Sequence, residues 1–170
     1  MKGLLLIALT CIMTVSFGQT YDINTDNAKV KFEYVDEDVK GSVGGIKAQI
    51  KLDLKDTLST AAISGTADVT TLTTGNKMRD KHLQSADFFD AAKYPEMSFT
   101  CEEIVQDEDK HYAKGTLQIK DVKKTVRFRV KSSDEYLSFY TTIYAADYGV
   151  SIKKEREKSK VKIQVIVPIK

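Results

Sequence analysis

Eight stretches of this chain carry apolar side chains at every second position, and that rhythm limits the possible folds more than any other feature. In AKVKFEYV, Val30, Phe32 and Tyr34 fall on one side and Lys29, Lys31 and Glu33 on the other. A period of two belongs to an extended strand with one buried and one wet face. The run from Val39 crosses Gly41 and the Gly44-Gly45 pair, where a bulge or sharp bend is expected, and then alternates through Ile46, Ala48, Ile50, Leu52 and Leu54. The next inward sets are Ile63, Gly65, Ala67 and Val69, then Met97, Phe99 and Cys101, then Ala113, Gly115, Leu117 and Ile119. Val126, Phe128 and Val130 follow, then Leu137, Phe139, Thr141 and Ile143, and last Val161, Ile163, Val165 and Val167.

Most links between these stretches are short, which favours antiparallel neighbours, because parallel pairs need long crossovers. The expectation is an all-β fold, an eight-stranded antiparallel barrel wound as a meander. Eight strands enclose an interior that either fills with side chains or holds one small ligand. Gly65, Ala67, Ala113, Gly115 and Thr141 fit both outcomes, as the walls of a void or as partners of bulky neighbours in a filled core.

One segment breaks the alternation. Thr74–Pro95, TGNKMRDKHLQSADFFDAAKYP, has helical spacing and sits between the third and fourth strands. Asn76 is placed to cap a helix over Lys77–Ser85, with Met78 and Leu83 expected on roughly one side. Asp87 starts a second short turn carrying Phe88 and Phe89, and Tyr94-Pro95 ends the segment, since a residue before proline disfavours helix. Arg79 and Asp80 are expected to pair with each other or to bond loop carbonyls. Such an insert covers a barrel end, as a plug or as a lid.

The first eighteen residues are different in kind. MKGLLLIALTCIMTVSFG has a charged start at Lys2, an apolar run too short to span a bilayer, and small residues at Ser16 and Gly18 before a possible cut. Residues 1–18 are read as a secretory signal peptide and 19–170 as one domain, exported to the periplasm or secreted. A lipid anchor at Cys11 is disfavoured by Thr10 before it and by its place in mid-run. Cleavage would remove Lys2 and Cys11, taking the formal charge from +2 to +1 and leaving Cys101 as the single thiol, so stability must come from packing rather than a disulfide. A charge near zero gives no support to nucleic-acid binding, and no later stretch is long enough for a transmembrane segment. Lys153–Lys160 reads as a charged, solvated connection.

No catalytic residues are assigned. His82 and His111 are the only histidines, and no nucleophile-elbow pattern accompanies them. His82 lies near Asp80, Asp87 and Asp90, but no second histidine has ligand spacing to it, so no metal site is assigned and the group is read as capping and solvating a short helix. Cys101 shares a face with Phe99 and Met97 and is read as a small buried hydrophobe.

The central segment also carries a resemblance. T-G-N at Thr74–Asn76, R-D-x-H-L from Arg79, D-F-F-D from Asp87 and Y-P-x-x-x-F from Tyr94 are similar to the signature of the YceI-like family. Val39-Lys40-Gly41, Gly45-Ile46, Leu52-Asp53, Gly115-x-Leu117-x-Ile119 and Asp147-Tyr148-Gly149-Val150 extend it from about Tyr21 to the C-terminus. There are departures: Asn27-Ala28 where the family often has His-Ser, Tyr144-Ala145 where Asn-Arg is common, and Asp121-Val122-Lys123-Lys124 at a Gly-Val-Thr-Lys turn. The resemblance implies a lipocalin-like barrel, exported, that binds an isoprenoid or similar lipid and has no catalytic activity or cofactor beyond such a lipid. On that reading Phe32, Ile50, Leu52, Val69, Phe99, Leu117, Phe128, Phe139 and Ile143 form the wall, with Phe88 and Phe89 at the mouth. The competing expectation is a ligand-free barrel acting as an interaction or stress-protective protein.

Overall fold

The computed structural model describes residues 23–51, 62–151, 153 and 155–170. It contains nine strands: β1 Lys29–Tyr34, β2 Val39–Val43, β3 Lys47–Lys51, β4 Ala62–Asp68, β5 Glu96–Asp107, β6 Lys110–Ile119, β7 Val122–Ser132, β8 Tyr136–Tyr144 and β9 Lys160–Pro168. One helix, α1 (Lys77–Gln84), lies between β4 and β5. All strand pairs are antiparallel, in the order β2-β1-β9-β8-β7-β6-β5-β4-β3. The barrel-like sheet curls so that its first strand pairs with its last, Phe32 opposite Ile163.

The count is nine rather than eight because the run from Val39 divides. Gly45 takes φ +60°, a left-handed conformation that glycine adopts without steric cost, and a Cβ there would strike Asp68. The chain bends at this point and sends β2 to one edge of the sheet and β3 to the other. The seam between these edges is bridged by the end of β4 and the segment after it. Asp68 N donates to Gly44 O at 3.0 Å, and Ser42 and Thr73 exchange two backbone bonds at 2.9 Å. The helical insert accordingly follows the fourth strand, not the third.

The inward residues are those that alternation assigns. In β6 the pattern is strict: Ala113, Gly115, Leu117 and Ile119 are buried while Lys114, Thr116 and Gln118 are half-buried. Beside β6, β5 carries a bulge between Cys101 and Glu103 that brings the two backbones close. A Cβ on Gly115 would meet Thr100 O and Cys101 Cα, so only glycine fits opposite the bulge. Cys101 is half-buried, packs at the margin of the core, and its thiol lies 3.3 Å from Glu103 O, with burial pushing its pKa up.

The wall is not paired throughout. β6–β7 pairing runs to Ile119↔Val122 and β8–β9 pairing to Tyr144↔Lys160, but β7–β8 pairing stops at Arg129↔Tyr140. Beyond it, Val122–Phe128 and Thr141–Tyr144 diverge, and Tyr148 packs at this end with Ile143, Val122 and Val126.

The connection before β9 is more structured than a solvated loop. Residues 156–159 form a 3-10 turn, and Ser159 is fully buried, donating to Arg156 O at 2.6 Å and accepting from Ala146 N at 3.1 Å. Arg156 chelates Asp147 through two bonds of 2.7 and 2.8 Å, which hold the Asp147 carboxyl below its ordinary range. The neighbouring side chains of this connection remain exposed.

Candidate functional site

The barrel interior is apolar and unfilled in two places. Beneath the insert is a cavity of about 390 Å³ whose wall includes Phe32, Leu72, Leu83, Phe88, Phe89 and Ile143. Deeper lies a smaller one of about 130 Å³, walled in part by Ile50, Phe99, Leu117, Phe128 and Phe139. The two share Val30, Met97, Ile119 and Ile163, so they are adjoining stretches of one interior. In the deeper part Phe99 and Phe128 meet edge to face, with centroids 4.8 Å apart.

The roof is fixed by polar contacts at its rim. Asn76 accepts from Met78 N and Arg79 N, both at 3.1 Å, and starts α1 as its sequence position requires. Asp80 accepts from Thr74 N at 2.7 Å and Thr73 Oγ1 at 3.0 Å, and also from Thr74 Oγ1. Burial acts to raise the Asp80 pKa, but these donors and the nearby Arg79 outweigh it and hold the carboxyl low. Arg79 donates to Thr74 Oγ1 at 2.8 Å and to Thr74 O at 3.1 Å. Both residues therefore grip the same loop threonine, and Arg79 takes the loop-carbonyl option rather than an ion pair. From the last turn of the helix, Gln84 reaches Thr70 O at 3.1 Å and Leu72 O at 3.2 Å.

The second turn follows directly. Phe89 N donates to Leu83 O at 3.0 Å and Asp90 N to Ser85 O at 2.8 Å, with Asp90 at φ +49°. This aims Phe88 and Phe89 down into the larger cavity. The His82 ring meets Phe88 edge on, at 4.8 Å and 84°. Among the described residues no group of three His, Cys, Asp or Glu could hold a metal ion.

Of the residues assigned from sequence, Phe32, Phe88, Phe89 and Ile143 line the larger cavity and Ile50, Phe99, Leu117, Phe128 and Phe139 the smaller. Val69 lines neither. It is 1% exposed in the 3-10 turn after β4, and its N–H bonds Pro95 O at 2.8 Å, tying the two ends of the insert together. Leu52 lies outside the described residues, as does Leu54. Met78 does not join Leu83 on the inner side: it is 84% exposed, because five residues of helix turn the side chain well away. The inner face is instead Arg79, His82 and Leu83, the i, i+3, i+4 set. That spacing is present in the sequence and would have named Arg79 and His82 as polar groups at the mouth. Tyr34, which alternation puts on the same side as Val30 and Phe32 and whose hydroxyl bonds Ser151 Oγ at 3.0 Å, completes this polar rim with Glu37, which pairs with Lys153 at 2.7 Å and had no sequence signal.

Residues 21–170 match a family model described as the YceI-like domain. A protein named YceI from Escherichia coli O157:H7 is 38% identical over 69 residues, which cover 41% of this chain and 36% of that protein. A UPF0312 protein from Pectobacterium atrosepticum is 29% identical over 94 residues, 54% of this chain and 49% of the relative. The matched segments thus span less than half of these relatives. Solved structures give the same fold at lower identity. BcnA of Burkholderia cenocepacia superposes with a TM-score of 0.74 at 22% identity, covering 86% of this chain and 99% of that one. A polyisoprenoid binding domain from Saccharophagus degradans, described as implicated in plant cell wall breakdown, gives 0.60 at 13% identity, covering 89% and 98%.

Proposed function

Given that this chain belongs to the YceI-like family, we propose that it is a binding protein that holds a polyisoprenoid-type or other long-chain lipid inside its barrel. The observation that carries this reading is the apolar interior of about 390 Å³ beneath the α1 roof, continuing into the deeper space beside Phe99 and Phe128. The likeness to a polyisoprenoid binding domain supports the ligand class.

The work of binding is burial. Each methylene taken out of water contributes about 0.8 kcal/mol, so a chain of modest length is retained with few polar contacts. The aromatic and branched walls supply that surface. Arg79, Tyr34 and Glu37 at the rim are placed to meet whatever polar end the chain carries, and the Phe88-Phe89 turn is the part of the roof that must yield for entry. This reading calls for no catalytic residue and no cofactor besides the lipid. Among the described residues no helix is long and apolar enough to cross a membrane. The signal peptide of residues 1–18 lies outside the described residues, and export of a single domain of 19–170 is part of the proposal.

The test is organic extraction and mass spectrometry of protein purified from its native compartment, with uptake of a fluorescent hydrophobic probe by the delipidated protein. A stoichiometric long-chain lipid, displaced by the probe, is the expected result. Protein that is empty when isolated and takes up no probe would overturn the reading and favour a ligand-free interaction role.

A further inference from the structure

At the split between β7 and β8 the wall carries a broad groove of about 1080 Å³, which opens outward and shares Phe32, Ile143 and Ile163 with the larger interior cavity. It runs across the outward side chains of β1, β9 and β8, including Lys31, Tyr140, Thr142 and Gln164, to Lys124 and Arg127 of β7. Seven cationic side chains line it against two carboxylates, Glu33 and Asp147, an excess of five positive charges. Asp38, Glu103, Asp107 and Glu157, outside the lining, pair with four of these cations, so the uncompensated charge rests on Lys31 and Lys124. We propose that this groove binds a phosphate-class oxyanion.

Three features support the assignment. The first is the field. A concave surface lined by one sign of charge raises the local concentration of counter-ions. Among the described residues Lys31 and Lys124 have no ion-pair partner, and Lys40, Lys114, Arg127 and Lys162 sit in partly exposed pairs, such as Arg127 with Asp107 at 3.5 Å, which a multivalent anion displaces at little cost. The second is geometry. The Arg127 guanidinium is already braced against a ring, 4.3 Å from Tyr112, while Arg156, 3.7 Å from Tyr144, gives its Nε and Nη2 to Asp147. A planar donor fork matches phosphate oxygens, and bracing lowers the freedom lost on binding.

The third is an unused donor. Tyr148 lines the groove and is 2% exposed, yet among the described residues its hydroxyl has no hydrogen-bond partner. Burial, with Asp147 beside it, pushes its pKa up to about 12, so it remains a donor at neutral pH. The facing backbone edges of Val122–Phe128 and Thr141–Tyr144 are likewise unpaired with each other. A flat anionic surface does not reach into such a concavity, whereas a discrete anion does.

The groove adjoins the lipid interior at Phe32, Ile143 and Ile163, and the experiment separates anion binding from lipid burial. Inorganic diphosphate is titrated calorimetrically into the full chain and into the folded double variant Lys124→Glu with Arg127→Glu, both positions being exposed. Saturable binding that weakens at least tenfold in the variant and falls with added salt is expected. Tyr148→Phe should weaken binding several-fold while leaving Tm unchanged or higher. Dodecyl phosphate and dodecanol form the second arm. A tenfold preference for the phosphate that disappears in the double variant identifies a lipid-borne head group. Diphosphate binding without that preference identifies a free anion. Dodecanol uptake reports on apolar burial without an anion. Absence of both diphosphate binding and phosphate preference, or a double variant with native Tm that binds like the wild type, overturns the proposal.

Discussion

The two ends of the barrel interior are built from the same kinds of side chain and differ in how they are closed. The deep end is closed by wall against wall: Phe99 of β5 on Phe128 of β7, with Leu117 from β6 and Phe139 from β8. Little space is left, about 130 Å³. The roofed end is closed by a separate piece of chain hung on polar bonds to Thr73 and Thr74, and it leaves about three times the space. Stability should therefore concentrate in the deep end, and exchange of contents in the roofed one, because hydrogen bonds at an exposed rim open more cheaply than a packed core.

That contrast can be broken by substitution. Phe128→Ala at the deep end should cost the most, about 3–5 kcal/mol in denaturant unfolding, because it removes a buried ring and its partner's edge contact. A loss below about 1 kcal/mol would mean that the deep end is not the packed half. Gly115→Ala should cost about 1–3 kcal/mol through overpacking against β5, with hydrogen exchange faster around Thr100 and Cys101. Asp80→Asn at the roof should cost about 1–2 kcal/mol by weakening bonds to a charged acceptor, and should accelerate exchange in α1 while leaving the deep strands protected. Its pH signature follows from the lowered pKa. The folded value lies below 3.8, so the Asp80 contribution is complete above that value and disappears as pH falls through the folded pKa; the Asn variant should lack that acid-side loss. Met78→Glu should change stability by less than about 0.5 kcal/mol and leave probe uptake unaltered, since the side chain faces solvent. If Met78→Glu blocks uptake, the outer face of the helix takes part in entry and the assignment of the inner face is wrong.

Most of the wall was legible in the sequence because alternation is a local record of burial. Every buried residue of β6 can be named from spacing alone, as can Leu137, Phe139 and Ile143 of β8 though not the buried Ser138, and nine of the eleven assigned site residues line the interior. What alternation does not record is which strands meet. The division of Val39–Lys51 into two opposite edges depends on one left-handed glycine and on contacts with Asp68 and Thr73, distant in the chain. The split between β7 and β8 is equally silent, since Val126 and Ile143 keep their inward phase on either side of it. Val69 has the phase of a wall residue, but the chain has already turned into a 3-10 segment there. Met78 was misplaced by pairing positions five apart, whereas the helix brings positions three and four apart together.

The pairing of the first strand with the last has a consequence for how the molecule comes into being. Every other pair except that one joins strands adjacent in sequence, whereas Lys29 meets Ile166 across nearly the whole described chain. During synthesis, the β1–β2 hairpin is made first and must wait, one flank bare, until residues 160–168 arrive. Loop closure over such a distance is slow, so the open flank is the surface a growing chain has to shield. A chaperone that holds the N-terminal hairpin until the C-terminal strand is free would act at the step that sets the folding time.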